Sequence, residues 1–260
     1  MIGLLASCAA RAAPQELEVA GGLAEALKVV SARYGVAATY EGTPLDREGV
    51  EWVAVPTAAG GTWNRPTTYG PLRFAVPARA TGIDAVRAAV DAWNRRPDPE
   101  ARYAVVEAPG FVHVVPVADA DVDGVLRPYT PLLDTVIHLD RTTGTPTVLY
   151  AEIRQTLARV AGTPIHDLRE GFALETEDCP PATVAADGTA RDVLDQVVRS
   201  ADSATRWGIE WSVEAGPYHG WSLWFDVIRP GDAAPSGRAG NSPSPRTSSG
   251  EAELCPPHPG

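Results

Sequence analysis

Three cysteines, one methionine and four phenylalanines are few for 260 residues. Cys8, Cys179 and Cys255 lie far apart and form no C-x-x-C pair, so a structural zinc site has no ligand framework. No stretch stays apolar for the ~18 residues that a membrane-spanning helix needs. Clustered positive charge is also lacking. The formal net charge is -11 and no basic patch offsets it, so the summed field repels a phosphate backbone and nucleic acid is excluded as a partner. The pair Arg95-Arg96 is closely followed by Asp98 and Glu100, as on a solvated face.

Chemical signatures are missing as well. His113, His138, His166, His219 and His258 are scattered, with no H-E-x-x-H or H-x-H grouping to gather a metal. No G-x-S-x-G elbow, P-loop or G-x-G-x-x-G occurs, so neither an activated serine nor a nucleotide cofactor has support, and no cofactor, metal or catalytic residue is assigned. The close pairs His138 with Asp140 and His166 with Asp167 read as surface hydrogen bonds sooner than as acid/base couples.

What remains is patterning. With 44% hydrophobic and 21% charged residues, the composition is that of a globular protein. The length favours two small domains. Residues 230–260 are rich in Pro, Gly and Ser without an aromatic and read as a disordered tail. Leu5-Ala6-Ser7-Cys8, within residues 1–15, resembles the lipobox at which bacterial lipoproteins are cleaved and acylated on cysteine, although only seven residues precede Cys8 and none is basic. Were Cys8 acylated, Cys179 and Cys255 would remain as a pair able to bridge in an oxidising compartment.

The chain also repeats. The run from Phe74 to Val86 aligns without a gap to that from Ala182 to Leu194. Each copy predicts a short strand and then a helix capped by Thr81 or Thr189, with Asp84 or Asp192 three residues on to complete a capping box. Apolar spacing follows in each helix: Ile83, Val86, Val90 and Trp93, then Leu194, Val197, Val198 and Ala201. A hairpin comes next in both, Tyr103 to Val117 and Ile209 to Ile228. Upstream lie two more helices, Gly22 to Tyr34 and Thr147 to Val160, the first turning through Gly35 into a strand from Val36 to Tyr40.

This order, with Leu23-Ala24-Glu25-Ala26-Leu27 opening a helix and Tyr34-Gly35-Val36-Ala37-Ala38-Thr39-Tyr40 turning into a strand, resembles the secretin and TonB short N-terminal domain, twice over. The expected fold is α+β: two tandem β-α-β-β-α-β-β-like repeats, residues 16–120 with an insert at 43–71 and residues 121–229, each with two helices packed against small sheets. The second copy departs from the pattern in a less regular segment, Thr163 to Pro181, where a strand should be. The resemblance implies a periplasmic module that docks to other envelope proteins and carries no catalytic residues.

Two aromatic groups are candidate interaction surfaces: Trp211, Trp221 and Trp224 of the last hairpin, and Trp52, Trp63 and Tyr69 of the insert. Strand alternation gives the last hairpin apolar bulk on both faces, so one face is core and the other meets the neighbouring repeat or a ligand. The expected function is that of an exported cell-envelope adaptor, anchored to lipid if Cys8 is acylated. The alternatives are an envelope-polymer hydrolase with a cleft between the repeats and a glycan or small-ligand binder using the tryptophan-rich hairpin.

Overall fold

The computed structural model describes residues 13–20, 22–44, 52–56, 62–66, 71–97, 100–121, 123–167, 179–201, 205–213 and 219–227, with backbone alone for most of 52–56, 62–66 and 205–227. The protein is mixed α+β, with four helices and several sheets among these residues.

The N-terminal half runs β1 (Gln15–Val19), α1 (Leu23–Tyr34), β2 (Ala38–Glu41), β3 (Trp52–Pro56), β4 (Thr62–Pro66), β5 (Leu72–Val76), α2 (Gly82–Asn94), β6 (Ala101–Ala108) and β7 (Phe111–Ala120). The C-terminal half runs β8 (Leu126–Pro128), a 3-10 turn (Leu132–Asp134), β9 (Val136–His138), β10 (Thr143–Gly144), α3 (Pro146–Ala161), β11 (Ile165–Asp167), β12 (Ala182–Thr183), β13 (Asp187–Thr189), α4 (Ala190–Ser200), β14 (Thr205–Val213) and β15 (His219–Val227).

Local chemistry sets the helix ends. Thr81 and Asp84 complete a reciprocal capping box at the start of α2, and the Thr189 hydroxyl accepts the Asp192 N–H at the start of α4. Gly35 ends α1 in the left-handed region, where a side chain would be strained. The expected apolar stripes are buried, except that Ile83 is half-buried and Val160, read as part of the α3 stripe, is 55% exposed and lies off the core face. Several strands lie where the sequence reading placed none, β1 and β11 among them. Gln-Glu-Leu-Glu-Val forms β1, whose partner β5 lies more than fifty residues on. In the segment read as irregular, Ile165–Asp167 forms β11, three residues whose polar half hides the strand pattern. The insert at 43–71 carries the β3–β4 hairpin, with Val55 opposite Trp63.

In the N-terminal half β1 pairs antiparallel with β5, β2 pairs parallel with β7, and β6–β7 is a hairpin. In the C-terminal half β9 pairs antiparallel with β13, β11 pairs parallel with β15, and β14–β15 is a hairpin. The halves do not keep separate main sheets. β14 pairs parallel with β2, Gly208 opposite Tyr40 and Ile209 opposite Glu41, giving one sheet ordered β11-β15-β14-β2-β7-β6 with β8 beside the far end of β7.

Residue alternation places the helices on opposite faces of this sheet. Ala38 of β2 and Val112 and Val114 of β7 enter a core with Leu27, Val86, Val90 and Trp93 of α1 and α2. Phe111 points the other way, into a core with Ile153, Leu157, Leu194, Val198, Trp207 and Leu223. Covered on both faces, β7 is buried continuously from Phe111 to Pro116, and so reads as an apolar run and not as an alternation.

Gly82 sits where α2 meets the end of α1. A Cβ there would lie 2.6 Å from Val36 Cβ, which is too rigid to give way. Although alanine outranks glycine within helices, Gly82→Ala is expected to lower stability by about 1–3 kcal/mol through overpacking, read as a lower urea midpoint with an unchanged slope.

Candidate functional site

Charged and polar groups concentrate where the two halves meet. Strand β2 brings Thr39 and Glu41, and β7 brings His113, onto the sheet face covered by α4, from which Arg191 and Asp195 project one turn apart. All five are buried, Glu41 completely.

Two linkages cross this seam. In the first, the Arg191 Nη2 donates to Glu41 Oε2 at 2.6 Å and to Asp134 Oδ1 at 3.0 Å, while the Leu133 backbone N–H donates to the other Glu41 oxygen at 3.2 Å. Burial pushes the Glu41 carboxyl above the usual carboxylate range, and Arg191 and the Leu133 N–H pull it part of the way back. Arg191 Nη1 is buried without a hydrogen-bond partner among the described residues, an added cost of holding the guanidinium here. In the second, Thr39 Oγ1 and His113 Nδ1 are 2.7 Å apart, His113 Nε2 and Asp195 Oδ2 are 3.0 Å apart, and the Trp207 indole N–H donates to Asp195 Oδ1 at 3.2 Å. The His113 ring stacks on Phe111, 6.0 Å between centroids.

A hydroxyl, an imidazole and a carboxylate in line are the parts of a nucleophilic relay. Here Thr39, His113 and Asp195 are only 1%, 2% and 3% exposed, so no substrate reaches the hydroxyl and the line acts as a bolt between halves. None of these residues drew attention in the sequence beyond His113. Their one shared signal is a charged residue within a strongly amphipathic segment: Arg191 and Asp195 interrupt the apolar face of α4, and Glu41 ends β2.

The residues singled out from sequence do not converge. Trp221 is 4% exposed and lies in the C-terminal core, so it is a packing residue and not part of a docking surface. Trp211 pairs with Trp221 across the β14–β15 ladder, and Trp224 lies opposite Gly208. Trp52 and Trp63 lie on β3 and β4, and the backbone of β4 comes near that of β14, so the two aromatic segments approach one another. Tyr69 and Cys8 fall outside the described residues. His138 pairs with Asp187 across β9–β13 at 2.7 Å, exposed to solvent, whereas His166 lies on β11 in the main sheet. The two imidazoles therefore share no site. No group of three or more His, Cys, Asp or Glu could hold a metal ion among the described residues. No helix there is long and apolar enough to cross a membrane.

Cys179 is buried and disulfide-bonded. Its partner lies outside the described residues, and the other cysteines of the chain are Cys8 and Cys255. Comparison with known protein families, with curated proteins and with solved structures finds no match to this chain.

Two predictions follow from this geometry. Removing one member of a buried ion pair strands the other, so Glu41→Leu or Arg191→Met alone is expected to cost about 3–5 kcal/mol. The double variant is expected to regain most of that loss, less the Leu133 N–H that loses its acceptor; a double-mutant cycle in urea measures the recovery. For His138, the hydrogen bond to Asp187 raises the imidazole above its ordinary value. The fold therefore favours the protonated ring, and this contribution is complete below the ordinary value and lost as pH rises through the raised one. An NMR titration should place the His138 midpoint above about 6.5, and Asp187→Asn should bring it back down.

Proposed function

We propose that this chain is an exported bacterial cell-envelope adaptor built from two copies of one α+β module, which works by docking to other proteins and not by catalysis. The observation that carries the reading is the repetition of strand pairing. The pairs β1–β5 and β10–β12 are antiparallel, β2–β7 and β11–β15 are parallel, and each hairpin follows a threonine-capped helix. Two helices between a two-stranded ladder and a hairpin-based sheet is the arrangement implied by the likeness to the secretin and TonB short N-terminal domain.

Export is supported by the Cys179 disulfide, a bond that persists in oxidising compartments and is rare in the bacterial cytosol. The sealed Thr39–His113–Asp195 line supports a structural role for the chain's most enzyme-like grouping. The bond also constrains the anchor. A Cys179–Cys8 bridge and acylation of Cys8 exclude one another, whereas a Cys179–Cys255 bridge leaves Cys8 available.

Cross-linking capture of the tagged protein from its native cells, combined with fractionation, tests the docking reading. Recovery from the envelope fraction with outer-membrane or secretin-like components is expected, and a cytosolic protein with no envelope partner would overturn it. Thiol counting on protein trapped with alkylating agent at lysis tests export separately. Two fewer alkylated cysteines before reduction than after is the expected result, and no difference would contradict it.

A further inference from the structure

We infer that Cys179 is bonded to Cys255 and that Cys8 keeps a free thiol. Cys179 is disulfide-bonded, and the chain offers only Cys8 and Cys255 as partners within itself. Reach along the chain decides between them. Cys179 stands three residues before β12, which pairs with β10 just ahead of α3. Val184, next to β12, and Ile137 of β9 enter the core with α3 and α4, and the Gln196 side chain of α4 accepts the Ala185 N–H. These short ladders are separate from the main sheet, which meets the same two helices through Ile165, Trp207 and Leu223. They therefore lie on the outer side of α3 and α4.

Residues before β1 lead off from the opposite side. β1 pairs with β5, whose Leu72, Phe74 and Val76 pack on α1 and α2, and those helices cover the other face of the main sheet. From ladder to ladder the order is strands, helices, sheet, helices, strands, a thickness of about 40 Å at roughly 10 Å for each step. Fully extended, the chain from Gln15 to Cys8 spans about 25 Å and that from Ala182 to Cys179 about 11 Å. A disulfide adds about 6 Å between Cα atoms. The total only matches a straight line through both cores, which no chain can take, and falls short of a path round the sheet. Cys255 meets no such limit. Its chain leaves β15, in the same half as Cys179 and one helix layer away, and 28 residues separate it from Val227, a reach of about 90 Å.

The bond forms when the two Sγ atoms give up their protons and, together, two electrons to a disulfide oxidant, which leaves as two thiols. It closes residues 179–255 into one covalent loop. That loop holds α4 and β14, and with them Arg191 and Asp195 of the buried linkages and the strand that pairs with β2. A cross-link of this span stabilises chiefly by restricting the unfolded chain. Cys8 lies outside the loop and is left as the one cysteine able to carry an acyl group, so anchor and staple do not compete.

Peptide mapping of the full chain without reduction, after free thiols are blocked with an alkylating agent, tests the pairing. One sample is trapped from the native cells, and a second is purified and oxidised with glutathione disulfide. A linked pair of peptides holding Cys179 and Cys255 is expected, with Cys8 alkylated or acylated. Cys255→Ser is expected to make Cys179 reactive and to lower the urea midpoint to that of the reduced wild-type chain, whereas Cys8→Ser leaves both unchanged. A linked Cys8–Cys179 or Cys8–Cys255 pair, a Cys179 that stays protected in Cys255→Ser, or free thiols in both samples would overturn the proposal. The export reading is judged separately. Free thiols in the trapped sample together with a Cys179–Cys255 bond in the oxidised one remove export alone.

Discussion

Glu41 and Arg191 are 150 residues apart in sequence and 2.6 Å apart in space, wholly enclosed by the two halves they connect. A guanidinium in an apolar setting has to be met by carboxylates, and Glu41 and Asp134 fix where α4 can lie. From that position follow the line from Thr39 through His113 to Asp195 and the approach of β14 to β2. The ion pair contributes little net stability, because burying it costs about what its attraction returns. It does constrain placement, since α4 lies where Arg191 reaches Glu41 and Asp134 together.

The shared sheet changes what the molecule can present to others. Two modules on a linker would offer four sheet edges and independent orientations. Joined through β14 and β2, the two halves form one main sheet with two edges among the described residues and with helices on opposite faces. The near approach of β4 to β14 ties the β3–β4 hairpin to the second half as well.

Much of the architecture was legible because it is local. Capping threonines, glycine at the end of α1 and the stripes Leu23-Ala26-Leu27-Val30 and Leu194-Val197-Val198 act within a few residues, and each forms the expected helix. Two of the strands that went unread pair only with distant partners. Gln15–Val19 has Leu17 and Val19 among three polar residues and acquires meaning only beside β5, and Ile165–Asp167 only beside β15. The seam was illegible for a related reason. Asp195 and Arg191 interrupt the apolar face of an amphipathic helix, and their partners Glu41, His113 and Asp134 are too distant in sequence to be read from that pattern. Trp221 shows the converse: a conspicuous aromatic that was a surface candidate and proves to be core.

The central claim is that the two halves form one cooperative body joined at β14–β2. Native-state hydrogen exchange resolves this amide by amide. If the claim holds, the slowest amides of α2, β7, α4 and β14 exchange with one common opening free energy, and those of Gly208 and Ile209 share it. Two distinct opening energies, one for each half, with rapid exchange at Gly208 and Ile209, would contradict it.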